Sequence, residues 1–466
     1  MCGVLGIVGN IKLSSSRDLL LLLTHRGQDA SGILWAGQSG FETRKSMGSP
    51  ATIDVPDESS SLVLGSTRYP TSGRRVSSTA DLKTFVGPFY VGTLALTHNG
   101  NITNMVRFDS GKQYDCDSEF ITDRLALHLA ENGGNLVKAF KALDPELDGA
   151  YSLIGIHEGR LFAYRDPRGF KPLVFGRTAT HTFVASESTV IEMAGARLER
   201  DIYPGELIIF GPDKSMESYS ISQNETHSHC FFEYVYFAHP AATIEGQLVY
   251  DTRFRLGRAL ARILKKMKLE APDYVVPVPD TSRPAAQALA EDLGVPIREI
   301  ILKNRYLGRT FIAKSQQERD VTAKNKYIYL EDKIRGKNVL VVDDSIVRGT
   351  TAKMIVADLR KRGADKVYFA ATCPPQTHAC YYGIDIATDK ELIASDTDIE
   401  GIAEYIMADV LIYQDMTSLV NAIGLRDLCL ACLDGKYPTE YARIIRKNIE
   451  ENGSELGGRD YERPLT

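Results

Sequence analysis

The chain has 466 residues, 43% of them hydrophobic and 25% charged, and its 55 basic and 60 acidic side chains leave a net charge of −5. This is the makeup of an ordinary globular protein of two or three domains; it excludes a global positive field for nucleic acid, and no apolar run approaches the roughly 18 residues of a membrane span. The N-terminus lacks the basic start and long apolar core of a signal peptide, so the expected location is the cytoplasm, where the seven cysteines do not form a disulfide framework.

From residue 2 to about residue 228 the chain reads as short β-rich runs separated by turn residues. Val4 to Val8, Leu62 to Gly65, Tyr151 to Gly155 and Glu206 to Phe210 are the clearest, and a helix from Asp117 to Glu131 interrupts them. Layered α+β structure with antiparallel sheets is expected. The polar stretch Ser220 to Cys230 marks the boundary, after which helices alternate with apolar strands. Arg253 to Lys268, Thr281 to Leu293 and Thr351 to Arg362 read as helices, and Tyr274 to Val278 and Val339 to Val342 as buried strands. That alternation predicts an α/β domain with a parallel sheet over residues 229–447. The tail, 448–466, is polar and holds Gly453, Gly457 and Gly458, a composition that predicts disorder.

Met1-Cys2-Gly3 opens the chain, and a methionine before a small residue is normally removed, leaving Cys2 with a free α-amino group. That amine, with a reference pKa of about 7.7–8.0, can take the proton of a thiol of pKa about 8.5, so nucleophile and base share one residue. A buried cysteine on a first strand is the plainer reading of Cys2 alone. A second feature is Val339 to Thr351, a buried strand ending in Asp343 and Asp344, then Ser345, Ile346, Val347, Arg348 and Gly349 turning into a helix at Thr350 and Thr351. Backbone N–H groups of such a turn and the positive end of the helix suit a phosphate, and the threonines add hydroxyl donors. It is not a Walker A loop.

Taken in order, Cys2 to Ile7, His25-Arg26-Gly27-Gln28-Asp29-Ala30-Ser31-Gly32, Thr67-Arg68-Tyr69-Pro70-Thr71, His98-Asn99-Gly100-Asn101 and Asp117-Ser118-Glu119 resemble the class II glutamine amidotransferases. The resemblance implies the N-terminal nucleophile hydrolase α-β-β-α sandwich over 2–228. Arg68 would then pair with the α-carboxylate of glutamine and Asp117 with its α-ammonium, Arg26 would belong to the same pocket, and Asn99 with the Gly100 N–H would form the oxyanion hole. The 339–351 run resembles the phosphoribosyl pyrophosphate (PRPP) motif of type I phosphoribosyltransferases, with Asp343 and Asp344 on ribose hydroxyls or magnesium and the turn on the 5′-phosphate. In that family the basic stretch from Lys303 through Arg309 to Lys326 is a flap closing over PRPP, and Val278-Pro279-Asp280-Thr281-Ser282 supplies the Thr281 hydroxyl near Mg2+.

Cys429-x-x-Cys432 with Cys380 and Cys230 is compatible with a redox pair, a zinc site or core packing. Their contexts resemble the cluster-containing branch of the glutamine PRPP amidotransferase family, whose matching cysteines bind a 4Fe-4S cluster. Cys116 and Cys373 read as plain thiols. The resemblance covers about residues 2–447 and implies an enzyme that releases ammonia from glutamine at Cys2 and passes it internally to PRPP, giving 5-phosphoribosylamine, glutamate and pyrophosphate for purine synthesis. It further implies a homo-oligomer and inhibition by purine nucleotides. Two departures stand out: His239-Pro240-Ala241-Ala242 where the family has Arg-Pro-Asp-Ser, and Asp166 to Pro172 with Arg168, Phe170 and Lys171 where it has Tyr, Ile and Arg. The first touches the coupling between the sites more than either chemistry. The rival readings are another class II amidotransferase, for which an ATP-binding Ser-Gly-Gly loop or a sugar isomerase half is lacking, and a PRPP-sensing regulator without catalysis, which would not need Cys2, Arg68, Asn99 and Asp117.

Overall fold

The computed structural model describes residues 2–69, 85–108, 114–223, 226–304, 327–453, 459 and 461. The first half builds two antiparallel sheets. Their strands are β1 (Gly3–Lys12), β2 (Ala30–Gly37), β3 (Gly40–Met47), β4 (Ser59–Arg68), β5 (Phe89–Val91), β6 (Leu94–Ile102), β7 (Gly149–His157), β8 (Arg160–Arg165), β9 (Val174–Arg177), β10 (Thr182–Ala185), β11 (Arg197–Asp201), β12 (Glu206–Phe210) and β13 (Met216–Ser220). One sheet runs β11-β9-β10-β1-β4-β2-β3 and the other β13-β12-β8-β7-β6-β5. Helices α1 (Leu13–Leu21), α2 (Asp117–Glu131), α3 (Leu136–Leu143) and α4 (Ser188–Met193) complete this half.

Strand β1 shows why the sheets stack. Its side chains alternate, so Val4 and Val8 point into the core between the sheets, while Leu5 and Ile7 face the other way, into a core shared with Leu13 and Leu20 of α1. A third core joins the far sheet to α2 and α3 through Leu96, Leu153, Phe120, Leu125 and Phe140. Three apolar layers between four structural layers make the α-β-β-α sandwich expected for this half. Gly6 is needed there, because a Cβ would stand 2.5 Å from the Ile154 side chain across the interlayer.

A short strand β14 (His229–Cys230) and a π-helical turn, Glu233–Phe237, lead into the second half. It contains β15 (Thr243–Ile244), β16 (Gln247–Leu248), α5 (Val249–Leu264), β17 (Tyr274–Pro277), α6 (Arg283–Leu293), β18 (Ile301–Lys303), β19 (Tyr327–Tyr329), β20 (Asn338–Asp343), α7 (Thr350–Lys361), β21 (Lys366–Ala371), α8 (Ile399–Ile406), β22 (Val410–Tyr413), α9 (Met416–Ile423), β23 (Leu428–Cys429), α10 (Ala431–Asp434) and α11 (Glu440–Asn452). Strands β17-β20-β21-β22 form the parallel sheet. Alternate residues of β20 serve its two faces: Leu340 and Val342 pack with α5 and α6, Val339 and Val341 with α7 and α8.

Helix α5 starts and ends a turn before the expected 253–268, because Val249 and Tyr250 N–H groups are already satisfied by the Ala242 and Pro240 carbonyls, so the helix grows directly from the β15-β16 hairpin. The tail also departs from expectation. Helix α11 carries it to Asn452, and Tyr461 is buried with its ring 6.0 Å from that of Tyr381. One aromatic residue with an apolar socket outweighs the polar composition around it. No helix among the described residues is long and apolar enough to cross a membrane.

Candidate active site

Cys2 stands at the head of β1, registered by the pairing of Gly3 with Thr67 on β4. Its nitrogen donates to Asn99 Oδ1 at 3.0 Å, and its carbonyl accepts from Arg26 Nε at 3.4 Å. Asn99 is fully buried on β6, opposite Ser152 of β7, and its Nδ2 has no hydrogen-bond partner among the described residues. A buried amide donor left unpaired beside a nucleophile suits a charge that forms only during reaction. The next residue must be glycine, since a Cβ on Gly100 would lie 1.9 Å from the Ala150 carbonyl oxygen.

His98, on the same strand, bonds Ala150 O through Nε2 at 3.2 Å, which makes that nitrogen the protonated one. Burial lowers its pKa more than Asp117 raises it, so the ring is neutral. Asp117 opens α2, buried, and its Oδ2 accepts from the Ile102 N–H at 3.3 Å. Arg68 closes β4, donates to the Phe85 carbonyl and stands 5.7 Å from the Phe85 ring. Cys116, the residue before Asp117, is fully buried, and burial pushes its thiol up to about 12.

Arg26 lies beside Cys2, its Nε donating to the Cys2 carbonyl. Its guanidinium is fully buried and clamped by Glu187 (2.6 Å) and by both oxygens of Glu233 (2.6 and 2.9 Å). Burial pulls its pKa down, and the two carboxylates more than offset that. Glu187 also bonds His25 Nε2 at 2.8 Å and the His239 N–H at 3.2 Å. Burial would raise this carboxyl, yet His25 and Arg26 hold it at about 2. The cluster ties the Cys2 backbone to the start of the second half.

In that half, the loop after β20 brings Asp343, Asp344, Ser345, Ile346, Val347, Arg348, Gly349, Thr350 and Thr351 onto one cavity of about 840 Å³. Gly349, at φ 72°, makes the left-handed turn into α7, whose first residues, Thr350 and Thr351, line the cavity. Asp343 and Asp344 are nearly buried, fixed by their carbonyls' bonds to the Thr372 and Cys373 N–H groups. Thr281 and Lys303 line the same cavity, and Lys303 Nζ bonds Asp280 Oδ2 at 2.8 Å. Arg348 forms an ion pair with Glu391. Arg309, with residues 305–326 of the expected flap, lies outside the described residues.

His25, Gln28 and Tyr69 of the first half wall the other side of this cavity, together with Tyr236, His239 and Arg253. Sequence reasoning passed over Tyr236 and Arg253 and over Glu187 and Glu233. Arg253, buried on α5, donates to the carbonyls of Tyr234, Tyr236 and Ala238 and so fixes the wall; burial lowers its pKa to about 10 while Asp344 opposes the shift. An arginine early in an amphipathic helix gave no local sign of this. His239, at the departure from the family pattern, keeps the junction through its N–H bond to Glu187.

Cys230, Cys380, Cys429 and Cys432 share one core, with Cys230 paired in register to Cys429 across β14 and β23. Burial raises the Cys230, Cys429 and Cys432 thiols. Among the described residues no three Cys, His, Asp or Glu side chains stand close enough to hold a single metal ion. Cys373 belongs to the same core, and its N–H bond to the Asp344 carbonyl connects it to the loop after β20.

Two family models match the chain: a glutamine amidotransferase domain over residues 74–193 and a phosphoribosyl transferase domain over 251–407. The chain is 37% identical to an amidophosphoribosyltransferase of Methanothermobacter thermautotrophicus, covering 94% of each chain. It is 36% identical to the chloroplastic amidophosphoribosyltransferase 3 of Arabidopsis thaliana, covering 94% of this chain and 84% of that one. Among solved structures, the glutamine PRPP amidotransferase from B. subtilis, complexed with ADP and GMP, matches with a TM-score of 0.83 at 34% identity, covering 94% of this chain and 98% of that one. A structure described as the allosteric regulatory enzyme of purine biosynthesis matches equally, TM-score 0.83 at 33% identity over 94% and 97%.

Proposed function

The chain belongs to the amidophosphoribosyltransferase family, and from that premise we propose how its residues divide the reaction. The first half, about 2–228, is the glutaminase, the second, about 229–447, the phosphoribosyltransferase, and 448–466 a tail. Cys2 Sγ attacks the side-chain carbonyl of glutamine, its proton passing to the Cys2 amine and on to the departing ammonia. Asn99 Nδ2 and the Gly100 N–H hold the oxyanion, and water then hydrolyses the thioester to glutamate. The unpaired, buried Asn99 Nδ2 beside Cys2 is the observation that carries this assignment.

Arg68 and Asp117 hold the carboxylate and ammonium of glutamine, and Arg26 orders the Cys2 backbone from behind. On the other side of the cavity, the turn 345–351 takes the 5′-phosphate of PRPP, while Lys303, with Arg309, faces its pyrophosphate. Asp343, Asp344 and Thr281 are an oxygen donor set suited to magnesium, which when bound supplies charge neutralisation for the departing pyrophosphate. Ammonia attacks the anomeric carbon as the bond to pyrophosphate breaks, giving 5-phosphoribosylamine. A cavity walled by both halves supports its internal passage, which keeps it from protonation in bulk water.

Cys230, Cys380, Cys429 and Cys432 would hold a 4Fe-4S cluster of structural role, a donor set of four thiols in one core supporting it. Purine nucleotides as inhibitors fit a relative bound to ADP and GMP. A homo-oligomer and a cytoplasmic location, where the nucleophile stays reduced, complete the reading. The test is anaerobic protein with glutamine, PRPP and magnesium, following glutamate and pyrophosphate, beside Cys2→Ala given glutamine or ammonia. Both products in step, with the variant keeping only ammonia-driven pyrophosphate release, is the expected result. Absence of both products under every condition would overturn it.

A further inference from the structure

Lys171 lies in the turn between β8 and β9, its backbone carbonyl held by Ser152 Oγ at 3.1 Å and Arg165 Nε at 2.8 Å. Its side chain is fully buried, and its Nζ has no hydrogen-bond partner among the described residues. An ammonium group out of water, with three N–H donors unused, is costly unless an anion faces it. Its charged or titratable neighbours are Cys230, Glu233, Cys380 and Cys429. Glu233 does not fill the need, because both of its oxygens are bonded to Arg26.

What remains is the cysteine core itself. The residue before Lys171, Phe170, belongs to that core, accepts the Cys230 N–H at 3.1 Å and stacks on Tyr382 at 4.2 Å. The Tyr382 N–H in turn approaches Cys380 Sγ at 3.4 Å, a bond that favours negative charge on that sulfur. Cation and sulfur-directed N–H thus converge on one buried spot, as a plain apolar core would not require.

We propose that Lys171 is the counter-cation of the anionic iron–sulfur cluster held by Cys230, Cys380, Cys429 and Cys432, and that it sets the cluster's resistance to oxidation; this rests on the cluster reading above. Four thiolates give such a cluster net negative charge, and its potential follows local charge and hydrogen bonding. A buried cation favours the more reduced, more negative state. Removing it makes it easier for dioxygen to take one electron from the cluster, leaving superoxide and an oxidised cluster that then breaks down.

The experiment uses anaerobically purified full chain as wild type, Lys171→Met and Lys171→Arg, measuring iron and sulfide content, the cluster's midpoint potential, and the rate at which its visible absorbance bleaches in air. Lys171→Met should bleach several-fold faster, with a potential more negative by about 59 mV for each tenfold shift in the one-electron equilibrium. Lys171→Arg, which keeps the charge and matches the usual family residue, should restore wild-type behaviour. Loss of iron from the Met variant alone also supports the proposal; loss from both variants marks a purely steric position and overturns it. Unchanged potential and bleaching in Lys171→Met overturn the counter-cation while leaving the cluster. Wild type without iron, made under conditions that load other cluster proteins, overturns the cluster reading itself.

Discussion

Replacing Asn99 with alanine should disable glutamine hydrolysis and spare the other half-reaction. The side chain is fully buried, its Nδ2 is bonded to nothing else among the described residues, and its Oδ1 accepts the Cys2 nitrogen at 3.0 Å. Its donor is therefore free to strengthen only as the oxyanion forms, and loss of one such donor costs about 2.7–4 kcal/mol, or 10²–10³ in kcat. Losing the bond that orients the Cys2 nitrogen adds about 1 kcal/mol. Glutaminase kcat should fall about a thousandfold, with a much smaller change in the KM for glutamine. Asn99 does not line the cavity at the loop after β20. Pyrophosphate release driven by added ammonia should therefore stay within about twofold of wild type, since distant sites act independently. A glutaminase loss below about tenfold, or an equal loss of the ammonia-driven reaction, would refute the assignment.

Glu187, held at about 2 against an ordinary value of 4.5, is lowered in the folded state. Its contribution, on the order of 3 kcal/mol, is present above pH 4.5 and lost as pH falls toward 2. Glu187→Gln should melt lower at neutral pH and show a flatter acid limb than wild type; parallel melting curves from pH 6 to 3 would contradict this. Gly349→Ala forces φ 72° on a residue with a Cβ that would meet Ile393 Cδ1 at 2.8 Å. About 1–2 kcal/mol of strain should raise the KM for PRPP and leave glutamine hydrolysis untouched, as separate half-reaction assays would report. Lys303→Ala removes a half-exposed ion pair with Asp280 that contributes about 0–1 kcal/mol to stability, so melting should barely move while the KM for PRPP rises about tenfold.

The sequence carried what is local. A strand ending in two acids and a small-residue turn is one contiguous run, and β20, the 345–349 loop and α7 follow it closely. Cys2, Asn99 and Asp117 stood out through short segments that each resembled a family, and β1, β6 and α2 bring those segments together. Long-range partners were not legible. Arg26 was placed in the glutamine pocket by resemblance alone, and nothing near it in sequence announces Glu187 or Glu233, which are 161 and 207 positions away. The same holds for Arg253, whose acceptors are backbone carbonyls without a sequence signature, and for Lys171, whose isolation exists only once the cysteine core has formed. Tyr461 was lost in its polar surroundings because composition averages over a window while burial selects single side chains.

The strand that carries Asn99 also touches the far half of the chain: Asn101 Nδ2 donates to the Tyr381 carbonyl at 2.9 Å, and a Cβ on Gly383 would come within 3.0 Å of the Gly100 oxygen. Seen as heredity rather than chemistry, this contact works against modular exchange. A first half spliced onto another transferase would carry this strand without its partners at 381–383. Removing the Asn101 amide or adding a Cβ at Gly383 would therefore disturb both halves at once.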